Sequence, residues 1–176
     1  SAEDKNFYNH LGFDILAIFR ATLVNFHSYF NNNRFIGAST ITQQVVKNLL
    51  LTNEVSFERK IKEIILAVRL EIILSKDKIL ELYLNDIYLG YGSYGVAAAS
   101  LNYFNKSLLE LNLEEIAYLA ALPKAPNNYH PIKNYENAIM RRNWVLEQMY
   151  SNGYITKQEL TYKNKILVVN NRDTID

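Results

Sequence analysis

Apolar residues recur along most of this chain at intervals of three and four, the period of a helix buried on one side. Ile15, Ile18, Phe19, Leu23 and Phe26 make such a stripe over residues 13–29, and the turn-forming Asn31-Asn32-Asn33 ends it. Ser39 or Thr40 stands where a helix running through Leu51 needs its N-cap. Residues 57–74 predict a strongly amphipathic helix on Ile61, Ile64, Ile65, Val68 and Ile72, and residues 76–88 predict another after a break at Ser75. Gly90-Tyr91-Gly92-Ser93-Tyr94-Gly95 reads as a loop of bends between helices, after which residues 96–104 resume the helical period. A capping box at Asn112-Leu113-Glu114-Glu115 opens a helix over 116–122, stopped by Pro123 and Pro126. Residues 135–152 form the next, with Gly153 past its end, and Thr156-Lys157-Gln158-Glu159 caps a last short one. Residues 166–170 predict a strand. The pattern is mainly α, with no repeat and no linker.

At 176 residues the chain is one domain, long enough to bury roughly 70% of its unfolded surface. Apolar content of 49% with 21% charged residues excludes a disordered chain. The net charge is +1 and the basic residues are dispersed, which argues against nucleic-acid binding. There is no cysteine, so disulfide scaffolds and thiolate metal sites are excluded. The longest apolar run, residues 116–122, is far short of the ~20 residues that cross a bilayer. The chain opens on Ser1-Ala2-Glu3-Asp4 without a leader, which reads as a piece cut from something longer.

Candidate chemistry concentrates in three places. Ser39-Thr40-Ile41-Thr42-Gln43-Gln44, followed by Lys47-Asn48, carries more hydroxyl and amide groups than a core helix uses. Neutral donors backed by a lysine suit a polar, phosphorylated ligand. Glu3, with Phe7 and His10 at helical spacing, would place a carboxylate beside an aromatic; such packing raises a carboxyl pKa and improves it as a base. Arg59, Lys60 and Glu63 share one face of the helix over 57–74, where ordinary surface ion pairs are the commoner reading. The three histidines lack zinc-hydrolase spacing, and the glycine loop lacks the Lys-Ser/Thr ending of a phosphate loop.

Taken in order, Glu3-Asp4-x-x-Phe7-x-x-His10-x-Gly12, Gly37-Ala38-Ser39-Thr40-Ile41-Thr42-Gln43-Gln44-x-x-Lys47-Asn48, Arg59-Lys60-x-x-Glu63 and Lys76-Asp77-x-Ile79-Leu80-x-x-Tyr83-Leu84-Asn85 closely resemble the peptidoglycan glycosyltransferase domain, glycosyltransferase family 51. That domain occurs in class A penicillin-binding proteins and in monofunctional transglycosylases. Downstream, Ala120-Ala121-Leu122-Pro123-Lys124-Ala125-Pro126-x-x-Tyr129-x-Pro131 and Arg141-Arg142-x-x-Val145-Leu146 are similar to it as well.

The resemblance implies a lysozyme-like bilobed helical domain over residues 1–176, with a head lobe and a smaller membrane-facing jaw around residues 13–36. It implies polymerisation of lipid II: the GlcNAc 4-hydroxyl of an acceptor attacks C1 of a lipid-linked MurNAc, a β-1,4 bond forms with inversion, and undecaprenyl diphosphate leaves. Glu3 and Glu63 fall on the catalytic positions, Glu3 as general base. Asp4, Phe7, His10, Ser39, Thr40, Gln43, Gln44, Lys47, Arg59 and Lys60 fall on substrate-binding positions. The family pattern admits a divalent cation such as Mg2+ at Asp4 or Glu63. Implied partners are lipid II with its growing glycan, the membrane surface through the jaw, where Arg20, His27 and Arg34 meet headgroups, and a transpeptidase domain in the parent protein. The implied location is the outer face of the bacterial cytoplasmic membrane, held by a transmembrane segment outside this chain. A lytic transglycosylase and a catalytically silent membrane scaffold are the competing readings; the diphosphate-binding set around Lys47 argues against the first, and the presence of Glu3, Lys47 and Glu63 together against the second.

Overall fold

The computed structural model describes residues 2–30, 37–52, 54, 56–165 and 167–169, with the backbone alone over 28–30. Among them the chain forms eight α-helices and no sheet. They are α1 (Ile15–Phe30), α2 (Ile41–Leu50), α3 (Phe57–Ile73), α4 (Lys76–Asp86), α5 (Val96–Phe104), α6 (Leu113–Ala121), α7 (Tyr135–Ser151) and the single turn α8 (Lys157–Leu160). None of the described helices is long and apolar enough to cross a membrane. The chain divides into two compact units, residues 6–83 and residues 1–5 with 84–176.

In the first unit, α1 begins at Ile15 because Asp14 caps it, its Oδ1 accepting from the Ala17 amide at 2.9 Å and its Oδ2 from Asn6 at 2.9 Å. No described side chain of α1 is buried; Ile15, Leu16, Phe19 and Phe26 are all about two-thirds exposed. α2 and α3 pack together through Val45, Val46 and Ala67. Thr40 caps α2 reciprocally: its hydroxyl accepts from the Gln43 amide at 3.2 Å, and the Gln43 side-chain oxygen accepts from the Thr40 amide at 3.0 Å. The expected turn at Asn31–Asn33, and Arg34, lie outside the described residues.

The second unit is organised on α6 and α7. Ala117 and Ala121 are small enough to let α6 approach α7 closely, where Val145 and Leu146 meet them and Ile155 closes the cluster. The inward stripe of α7 continues through Ala138, Arg141 and Arg142, all buried. Arg142 is fully buried yet satisfied: its guanidinium donates to the carbonyls of Lys163 and Lys165, each at 2.9 Å, and to Asn143 Oδ1. It thereby fixes the segment that follows α8. An aromatic group runs beside this core, with Tyr103 stacked on Tyr91 and edge-on to Tyr118. Burial pushes both buried phenols far up, so they remain donors, to the carbonyls of Leu89 and Tyr129.

The helical reading of the sequence holds, with corrections at the ends. α4 stops at Asp86, not Tyr88, because the Ile87 carbonyl accepts from the Gly95 amide and Tyr88 bridges Tyr94. The glycine loop is therefore a hairpin-like turn. The strand expected over 166–170 does not form at 167–169; Ile166 and Asn170 lie outside the described residues.

Gly95 ends that turn at φ 78° and ψ 156°, a region open essentially to glycine alone, and an added Cβ would stand 2.4 Å from the Asn85 carbonyl oxygen. Gly95→Ala is therefore expected to cost at least about 1–3 kcal/mol from backbone strain alone. At about 2–4 °C per kcal/mol for a chain of this size, thermal unfolding will register it as a clear drop in Tm.

Candidate active site

Glu3 lies in an irregular stretch, and no helix carries it to His10. Phe7–Asn9 form a separate 3-10 turn, so the helical face expected to unite Glu3, Phe7 and His10 does not exist. Instead Phe7 is buried, edge-on to Tyr8 and His10, with the Lys76 ammonium 4.6 Å from its ring centre. What surrounds Glu3 in its own unit is cationic. Arg141 Nη2 stands 3.6 Å from Glu3 Oε1, and Lys124 adds a second positive charge. Burial holds the Glu3 carboxyl above the usual glutamate range; Arg141 and Lys124 pull it part of the way back, and neighbouring Asp4 pushes it up. The largest cause is burial, which the cations only partly offset. A carboxylate in this state is a stronger proton acceptor than an exposed one.

Glu63 sits in the other unit and is 2% exposed. Its Oε2 accepts from Arg59 Nη1 at 3.0 Å, its Oε1 pairs closely with Lys60 Nζ, and Lys60 also donates to Ser39 Oγ at 3.0 Å. The sequence pattern favoured surface ion pairs here; the structure has a buried carboxylate gathering two cations and reaching the start of α2. Both Glu63 oxygens face cations, so it offers a divalent ion no open carboxylate. Among the described residues no three His, Asp or Glu side chains group closely enough to hold a metal. The donor set at Glu63 does not fit Mg2+.

The hydroxyl-rich segment divides by task. Thr40 donates its one proton to the Gly12 carbonyl at 2.7 Å, and Thr42 gives its proton to Glu71 at 2.6 Å. Gln43 is committed to the cap. Ser39 and Lys47 are exposed, and Gln44, three residues before Lys47, is half-buried on the same side of α2. Gly12 is pressed against α3: at φ 88°, a Cβ there would meet the Ala67 carbonyl carbon at 2.7 Å. Glu71 escaped the sequence reading. Its side chain is 3% exposed, accepts from Thr42 and pairs with Lys76 at 2.7 Å, while Lys76 also donates to the His10 carbonyl at 2.6 Å. A glutamate on the inward stripe of an amphipathic helix, eight residues after Glu63, was the available signal.

Glu3 is thus a buried carboxylate beside Arg141 in one unit, and Glu63 in the other gathers Arg59 and Lys60 next to Ser39. The chain belongs to the transglycosylase family, whose model matches residues 1–150. Among its relatives it is 57% identical over 160 residues to penicillin-binding protein 1A of Rickettsia typhi, covering 91% of this chain and 20% of that protein. It is 50% identical over 159 residues to penicillin-binding protein 1A of Escherichia coli, covering 90% of this chain and 18% of that one. Its fold is similar to that in the crystal structure of penicillin-binding protein 1A from Haemophilus influenzae, with a TM-score of 0.53 and 37% identity, covering 74% of this chain and 16% of that chain. The chain thus spans about a fifth of the length of the curated relatives it matches.

The two glutamates should respond to neutralisation with opposite signs. A carboxyl with a raised folded-state pKa contributes stability that is full below the unfolded value and is lost as pH rises through the folded one. Glu3→Gln mimics the protonated form, so at neutral pH it should unfold at a higher temperature than the parent. Glu63→Gln leaves Arg59 and Lys60 without their counter-charge and should cost about 3–5 kcal/mol. Thermal unfolding of the two variants at pH 7 compares them directly.

Proposed function

We propose that this chain polymerises lipid II, transferring C1 of a lipid-linked MurNAc to the GlcNAc 4-hydroxyl of an acceptor with inversion and loss of undecaprenyl diphosphate. Glu3 takes the proton of the attacking hydroxyl, a contribution worth roughly 10²–10⁴-fold. Lys47, Gln44, Ser39, Arg59 and Lys60 receive the diphosphate, whose charge grows as the glycosidic bond breaks; donors aimed there favour the transition state over the ground state. Glu63 holds Arg59 and Lys60 in place, and Thr40 and Gln43 hold the loop that presents Ser39. Asp4 adds negative charge beside the base, while Phe7 and His10 shape the substrate-binding segment. The observation that carries this reading is the burial of Glu63 between Arg59 and Lys60, the latter tied to Ser39, since an enzyme that only cleaves glycan meets no diphosphate.

The same proposal makes the domain lysozyme-like, with residues 13–36 as its membrane-facing jaw; the exposed apolar residues of α1 support an interfacial seat. It places the chain on the outer face of the cytoplasmic membrane as part of an anchored protein. The length and name of its relatives support a transpeptidase domain in the same parent.

With labelled lipid II, the parent should extend glycan chains and Glu3→Gln should not; release of fragments from finished peptidoglycan instead would establish the lytic reaction. A single charge-assisted contact predicts that Lys47→Ala weakens moenomycin, a diphosphate-mimicking inhibitor, about 10–100-fold. Unchanged binding by calorimetry would remove Lys47 from the donor site.

A further inference from the structure

Glu3 has no regular element beneath it, yet a general base must be held to within a fraction of an ångström of its task. The adjoining helix supplies what the segment lacks. Arg141 projects from α7, whose inward stripe of Ala138, Val145 and Leu146 is locked into the core. Its guanidinium lies on the ring of Trp144, one turn further on, 4.0 Å from the ring centre. That contact restrains the guanidinium, and Arg141 is only 9% exposed. Its Nε is buried without a hydrogen-bond partner, so no other contact competes along that edge. At 3.6 Å, Nη2 attracts the Glu3 carboxylate without donating to it, which leaves the oxygen lone pairs open to an incoming hydroxyl proton. The adjacent Arg142 has a different task, since its donors are taken by backbone carbonyls and Asn143.

We propose that Arg141, stacked on Trp144, is the positioning residue for Glu3, so that the couple orients the base without touching substrate. This rests on the reading of Glu3 as the base. A lysine cannot reproduce the arrangement, because a flexible ammonium has neither the plane nor the stacking face of guanidinium.

The test compares the full chain with its R141K, R141M, W144F, W144A and E3Q variants, using lipid II polymerisation kinetics, moenomycin binding, thermal unfolding and the emission of Trp144, the single tryptophan. R141M and R141K should both lower kcat by about 10–100-fold, with KM and moenomycin affinity unchanged. W144A should lose roughly 2–5-fold and W144F less. Removal of the guanidinium should also move the Trp144 emission, with or without turnover. If E3Q is inactive while R141M keeps its kcat within twofold, or if R141M loses moenomycin affinity and Tm together, the positioning role is overturned and the base assignment stands. If E3Q itself retains turnover, the base assignment fails whatever Arg141 does.

Discussion

One face of α3 carries a burden that a helix rarely accepts. Glu63, Ala67 and Glu71 stand four residues apart along it, two carboxylates with a methyl between them, all turned from water. A buried carboxylate is tolerable only with counter-charge and hydrogen bonds. Glu63 recruits Arg59 and Lys60, and through Lys60 the hydroxyl of Ser39. Glu71 recruits Thr42 and Lys76, and through Lys76 the carbonyl of His10. Ala67 receives Gly12, whose carbonyl takes the Thr40 proton. The need to neutralise one helix face thus arranges three stretches of chain around it: residues 10–12, residues 39–42 and the start of α4. Most of those ties are polar, so they specify orientation as well as proximity.

The other unit solves the opposite problem. Glu3 is held above its ordinary pKa because burial outweighs the cations near it, leaving a carboxylate that is costly to keep charged. Such groups are what stability selection would remove and catalysis retains. The two glutamates therefore have different characters: Glu63 is saturated and holds its neighbours, whereas Glu3 is attracted by Arg141 but not saturated by it. An unsaturated carboxylate suits proton transfer, and a saturated one suits scaffolding.

The helices and their caps were legible because they depend on neighbours within four residues. Thr40 with Gln43, Asn112 with Glu115, and Thr156 with Glu159 all close the boxes their spacing suggests. The ordered motifs were legible for a different reason, since residues that do chemistry recur at set spacings whatever lies between them. The misreadings are equally physical. Glu3, Phe7 and His10 share a helical interval but no helix, because a 3-10 turn at Phe7–Asn9 interrupts the run. Glu71 was passed over because its partners lie 29 and 5 positions away, although its place on the inward stripe of α3 was a signal.

By itself, then, the amino-acid order determined the mainly helical class, most element boundaries and the family, since periodicity and caps act locally and motif spacing survives without coordinates. Burial was decided only by the tertiary structure. It separated Thr40 and Thr42, whose protons are committed to Gly12 and Glu71, from the exposed Ser39 and Lys47. It turned an ordinary i,i+4 pair at Glu63 into a buried anchor and set Arg141 beside Glu3. Whether a charge is solvated depends on what the rest of the chain packs over it, and no local pattern contains that information.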